Sequence, residues 1–509
     1  MQQQVAISKN PKVEQLVRGA DGCIARGDYK GAVRKLSEAV EIEPRNAELL
    51  RIAARWEESQ HNYETAERYL RTAIRLRPKM WILHADLGSF LIRTHRLPEA
   101  VKSFRQAHLS GSPTSAPLVQ IARLMEHSRD QQQADEALGI ALARWPNDPN
   151  TRVQHAVVLV RQGDIEQGER KLCEVISEAG VPHEIRSTAY HELGALLDKQ
   201  GRTDEAWEAF TLGKQAYTTT LPPRPYSMIP KAEANLRGLT QDLVQRWTSH
   251  GNDDGETRFA LLAGFPRSGT TLLEVILGSH SRVLTLEETH YLDTLNRWVY
   301  EAVGPDGGSI PLYLEIEGPA LRAHMQERYR KSVAGILGKD LPGGVVLDKH
   351  PMSTPLAPFF LWMLPRSRII MPLRDPRDVV VSNYMQQMLH PDLSSLDAIV
   401  DLYHCVMSGW LTIREWLGDA AIEVRYEDTV TDLERESRRI LDHLGLEWDP
   451  ALLSFHERAR TAYVGTPSYE AVTQPVNTRA IGRWRRYEAH LASVMDRLLP
   501  MVDTLGYER

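Results

Sequence analysis

Cysteine is nearly absent from this chain: Cys23, Cys173 and Cys405 are the only three in 509 residues. They lie far apart, with no CxxC pair and no Cys/His spacing suited to a metal. That argues against a disulfide framework and for a reducing compartment. Long apolar runs are lacking too. No stretch approaches the roughly 20 apolar residues needed to span a bilayer. The opening MQQQVAISKNPKVEQLV carries no apolar core of a secretory signal. Nor is there an excess of positive charge: 61 Lys and Arg stand against 67 Asp and Glu, a net charge of -6. A surface that coats nucleic acid is therefore not expected. These absences together lead us to expect a cytoplasmic protein with neither a membrane nor a nucleic acid as partner.

What is present is an ordinary globular composition, 42% hydrophobic and 25% charged, in a chain too long for one core. The N-terminal part is periodic. Small residues recur at Ala32, Ala66, Ala100, Ala134 and Gly168, each 34 residues after the last. Asp28, Asn62, Arg96, Asp130 and Asp164 keep the same step, and Pro44, Pro78 and Pro146 fall in phase. A sixth unit around Ala206 arrives four residues late. The small residue lets two helices approach, Gly27, Gly163 or Gly201 supplies a left-handed turn, and proline ends the second helix. The spacing resembles the tetratricopeptide repeat. The resemblance implies an α-solenoid of five to six repeats over residues 10–217, with protein partners along it. The rest, 218–257, reads as a linker with a short amphipathic helix, Leu239 to Trp247.

From residue 258 the pattern changes. Arg258 to Gly264 reads as a buried parallel strand, followed by a loop with Gly264 and Gly269 and then a helix from Thr270. Strand, glycine loop and helix make a phosphate cradle, because backbone N–H groups and the helix dipole face the anion. The spacing is that of a P-loop, but Thr270 stands where a nucleotide triphosphatase has its lysine, and Arg267 is the only cation in the loop. That speaks against a triphosphate ligand. A second strand, Arg368 to Leu373, leads into Arg374, with Ser382 eight residues on. An arginine and a hydroxyl at a strand's carboxyl end suit a phosphate dianion. Arg377 and Asp378 read as an ion pair at the helix start rather than as ligand contacts. Two further strands end in Glu287–Glu288 and in Lys349.

The segment PRSGTTLLE resembles the 5′-phosphosulfate loop of the sulfotransferase superfamily, and the protein-tyrosine sulfotransferases and bacterial repeat-linked sulfotransferases in particular. The resemblance covers residues 258–509. It implies a three-layer α/β domain with a mostly parallel sheet that takes 3′-phosphoadenosine-5′-phosphosulfate (PAPS) as co-substrate, with no metal. Arg267, Ser268, Gly269, Thr270 and Thr271 would hold the 5′-phosphate, and Arg374, Ser382, Tyr426 and Arg483 the rest of the nucleotide. Glu288 would be the base, with His350 second in rank and helix capping as its other reading. Lys349 and Ser468 would act at the bridging oxygen. The acceptor would be a hydroxyl, of a polypeptide tyrosine or of another molecule. His290 stands where the tyrosine enzymes have an acceptor-side arginine, and no counterpart of their membrane anchor or lumenal cysteines is seen. Two other readings stay open: a P-loop kinase-like enzyme, and a repeat scaffold whose transferase domain is inactive.

Overall fold

The computed structural model describes residues 7–25, 29–60, 62–94, 96–221, 227–249, 257–289, 291–304, 308–337, 344–388, 390–461 and 472–509. The chain forms two compact units, Met1–Gly168 and Glu169–Arg509.

The first unit is made of antiparallel helix pairs: Pro11–Ala25 with Tyr29–Ile42, Ala47–Ser59 with Tyr63–Leu76, Trp81–Arg93 with Leu97–Leu109, and Ala116–His127 with Gln131–Arg144, then Pro149–Gln162. The 34-residue step places Ala32, Ala66 and Ala100 in the second helices, each with 0% exposure. The packing leaves no room for more. At Gly88 an added Cβ would lie 2.9 Å from the Phe104 ring, and at Gly168 it would run into Val160. Helix starts are capped by side chains: Asn46 accepts from Leu49 N at 3.1 Å and Asp148 from Thr151 N at 2.8 Å. Gly163, at φ 93°, closes the helix Pro149–Gln162 in the left-handed conformation. Gly27 lies outside the described residues.

The second unit begins within the helix Ile165–Ser177 and goes on with one more helix pair, His183–Lys199 and Thr203–Thr218. The first helix of that pair has 17 residues, against 14 in Pro149–Gln162. These three extra residues make up most of the four by which the sixth small residue, Ala206, arrives late. The stretch 218–257 holds two helices, Ile229–Leu236 and Gln241–Ser249. Both are tied to helices later in the chain. Asn235 and Asn296 exchange side-chain amide bonds of 3.2 and 2.6 Å, and Trp247 Nε1 donates to Glu315 at 2.5 Å.

Five strands form one sheet, all pairs parallel: β1 (Arg258–Leu262), β2 (Val283–Glu287), β3 (Val345–Lys349), β4 (Arg368–Leu373) and β5 (Ala421–Arg425), in the order β2-β3-β1-β4-β5. Side chains alternate across it. Ala260 and Leu262 join Leu273, Ile276, Ile440 and Leu441 in the core on one face. On the other face Phe259 meets Tyr329 edge-on at 5.6 Å. Helices on both faces explain why the strands read as continuous apolar runs. After β1 the chain crosses to one side of the sheet and after β4 to the other, so the neighbours β1 and β4 frame a switch point, where such sheets bind ligands.

Candidate active site

Register decides what gathers at the carboxyl edge. Leu262 and Glu287 both pair with Lys349, so the residues just beyond them, the glycine loop, Glu288 and His350, share that edge with the end of β4. A cleft of about 630 Å³ opens there. Arg267, Gly269, Thr270 and Thr271 of the loop line it, as do Arg374, Ser382, Tyr426 and Arg483, and so do Glu288 and His350. Two expected residues lie behind its surface. Ser268 turns inward, its hydroxyl donating to Phe265 O at 2.7 Å. Lys349 has no exposed area. Ser468 and His290 lie outside the described residues.

The loop is held from outside. Gly264 N donates to Thr354 Oγ1 at 2.8 Å, Asn383 Nδ2 to Pro266 O at 2.9 Å, and Arg374 Nη1 to Arg267 O at 3.1 Å. The first bond of the helix Thr270–Leu277 runs from Leu273 N to Gly269 O, so the four N–H groups before it have no partner within the helix. Gly269 is required twice over. Its φ is 102°, and a Cβ there would lie 2.9 Å from Tyr426 Cδ2.

Positive charge crowds one side of the cleft. Arg267 Nε donates to Ser382 Oγ at 3.0 Å. Arg374 stacks over the Tyr426 ring at 4.7 Å and donates to Ala480 O at 2.6 Å. Burial and then the charges of Arg374 and Arg483 push the Arg267 pKa down to about 10. Among the described residues, Nε of Arg374 and Nε of Arg483 are buried and unpartnered. Arg377 pairs with Asp375 at 2.8 Å, not with Asp378 as the sequence suggested. Adjacent positions on a helix point apart, whereas Asp375 caps the helix and so faces Arg377. Asp378 instead accepts from Gly482 N and Trp484 N, both at 2.8 Å.

The other side mixes the two signs of charge. Lys349 Nζ lies 2.8 Å from Glu288 and 3.2 Å from Glu274. Burial alone would lower the lysine's pKa, but the two carboxylates outweigh it and hold it above the ordinary value. Burial pushes the Glu274 carboxyl up, and Lys349 offsets part of that rise. Glu274 was not foreseen from sequence. Its signal was a carboxylate on the buried face of the helix Thr270–Leu277, beside Leu273 and Leu277. Glu288 is held at φ 46° and Arg267 at φ 71°, two of the three non-glycine residues with positive φ among those described. Each such conformation costs about 1–3 kcal/mol and is commonest at functional sites.

Among the described residues no group of three or more His, Cys, Asp or Glu could hold a metal ion, and no helix is long and apolar enough to cross a membrane.

Residues 260–450 match the sulfotransferase family and residues 57–116 the tetratricopeptide repeat. An uncharacterized protein of Aquifex aeolicus is 25% identical over 334 residues, 63% of this chain but only 42% of that protein. Protein-tyrosine sulfotransferase A of Caenorhabditis elegans is 24% identical over 289 residues, 51% of this chain and 71% of that enzyme. The sulfotransferase domain of the Synechococcus PCC 7002 olefin synthase aligns over 50% of this chain and 98% of its own, at 21% identity and a TM-score of 0.37. Two parts of the chain thus resemble known families, residues 57–116 the tetratricopeptide repeat and residues 260–450 the sulfotransferase family.

Proposed function

We propose that the domain at 258–509 transfers the sulfuryl group of PAPS to an acceptor hydroxyl, with a polypeptide tyrosine as the leading acceptor. The observation that carries this reading is the pairing at one cleft of two unlike clusters: three arginines that line it beside a helix N-terminus, and Glu288 at its wall, bonded to the buried Lys349 that Glu274 also flanks. The arginine side fits a nucleotide with a second phosphate. The unpartnered Nε atoms of Arg374 and Arg483 are donors suited to such a dianion. Thr270 in the lysine position favours a single 5′-phosphate over a triphosphate.

In the reaction Glu288 takes the acceptor's hydroxyl proton. The acceptor oxygen bonds to sulfur, and the bond from sulfur to the 5′-phosphate oxygen breaks, leaving 3′-phosphoadenosine-5′-phosphate (PAP). Protonation of Glu288 weakens its salt bridge to Lys349 and frees an ammonium N–H for the departing oxygen. Glu274 remains as counter-charge, so the buried ammonium is never left unpaired. Tyrosine is favoured because of the C. elegans relative's name. The repeats are assigned polypeptide binding on the same reading, in the cytoplasm.

Labelled PAPS offered with tyrosine peptides, glycans and small phenols tests this. Label on a hydroxyl acceptor, lost in Glu288→Gln, is the expected result. No transfer to any acceptor, together with no PAP binding, would overturn it.

A further inference from the structure

We propose that Asp198, at the end of the helix His183–Lys199, is a positioning residue that holds Arg483 and Arg486 for the nucleotide's second phosphate, which makes the last helical hairpin part of the nucleotide site. The inference rests on the PAPS reading and goes beyond it.

Asp198 is 8% exposed. Its carboxylate accepts from Tyr487 OH at 2.6 Å, from Arg486 Nη2 at 3.2 Å, and from Arg483 Nη2. Asp198 and both arginines line the cleft that Arg267 and Arg374 also line. One carboxylate cannot neutralise two guanidiniums, so the group keeps positive charge. Arg483 is fixed through Nη2 while its Nε has no partner among the described residues. A flexible arginine anchored this way gives up less entropy when it meets an anion.

The hairpin that carries Asp198 is itself anchored beside the helix Pro376–Tyr384, which bears Ser382. Trp207 stacks on Tyr384 with ring centres 4.4 Å apart. Thr211 Oγ1 lies 2.9 Å from Tyr384 OH, and Lys214 Nζ donates to Gln386 O at 2.9 Å and Leu393 O at 2.7 Å. Gln386 lines the cleft as well. Asp198 and Ser382 are therefore set on one packed scaffold, as positioning demands.

Calorimetric titration of the full chain with PAP and with 5′-AMP tests the assignment. The wild type should prefer PAP. In Asp198→Asn, PAP affinity should fall about tenfold, with 5′-AMP affinity unchanged. Should that variant not fold, Arg486→Gln, at a half-exposed side chain, should lower PAP affinity a few-fold and again spare 5′-AMP. Equal losses for both nucleotides, no loss, or tighter PAP binding would overturn the role of Asp198. A wild type without preference for PAP would sink the sulfotransferase reading, and this inference with it, before any variant is made.

Discussion

The two halves of the cleft handle buried charge in opposite ways. On one side Arg267, Arg374 and Arg483 crowd like charges, and burial first, then those neighbours, lower the Arg267 pKa. On the other, Lys349 is flanked by Glu274 and Glu288 and its pKa rises. Like charges held together are tolerable where an anion is to be bound. A lysine shared by two carboxylates suits a proton that must come and go, because one carboxylate stays beside the ammonium when the other is protonated. The contrast separates a binding half from a chemical half, and each can be broken alone.

Glu288→Gln should have the largest effect, lowering kcat by about 10²–10⁴-fold while PAP binding stays. Equal loss of binding would place Glu288 on the nucleotide side. Lys349→Met leaves Glu274 buried beside an apolar side chain and should cost about 3–5 kcal/mol of stability in denaturant unfolding. Arg374→Ala should weaken PAP by about 10–100-fold and 5′-AMP much less. Glu274→Gln should lower kcat by about tenfold and move the acidic limb of the pH–rate profile to lower pH. With Glu274 neutral, Lys349 is balanced by Glu288 alone and holds that carboxylate in its ionised form. The same variant bears on stability. Burial raises the folded-state pKa of Glu274, so the folded protein binds the proton more tightly than the unfolded chain does. Its contribution is present at low pH and lost as pH rises from the ordinary carboxylate range toward neutrality. Glu274→Gln should flatten that part of the Tm–pH curve. Ser382→Ala, which removes the acceptor for Arg267 Nε, should cost only a few-fold in PAP affinity.

Local sequence made much of this legible. The 34-residue step is visible because each hairpin repeats the same close helix contact, and Ala32, Ala66 and Ala100 are where that contact falls. The glycine loop is visible because Gly264 and Gly269 adopt φ of 109° and 102°, which other residues resist. Side chains that depend on distant partners were hidden. Asp198 meets Arg483 across 285 positions of sequence. Glu274 matters only because the sheet register brings Lys349 beneath the loop. Even at short range, a residue type did not reveal a direction. The Ser268 hydroxyl belongs to the motif yet bonds inward to Phe265 O.

Titration of the full chain with PAP, set against 5′-AMP and against ATP with Mg²⁺, tests the central claim most directly. The account predicts binding that requires the 3′-phosphate and that fails in Arg374→Ala. Preference for ATP with Mg²⁺, or equal binding of PAP and 5′-AMP, would contradict it.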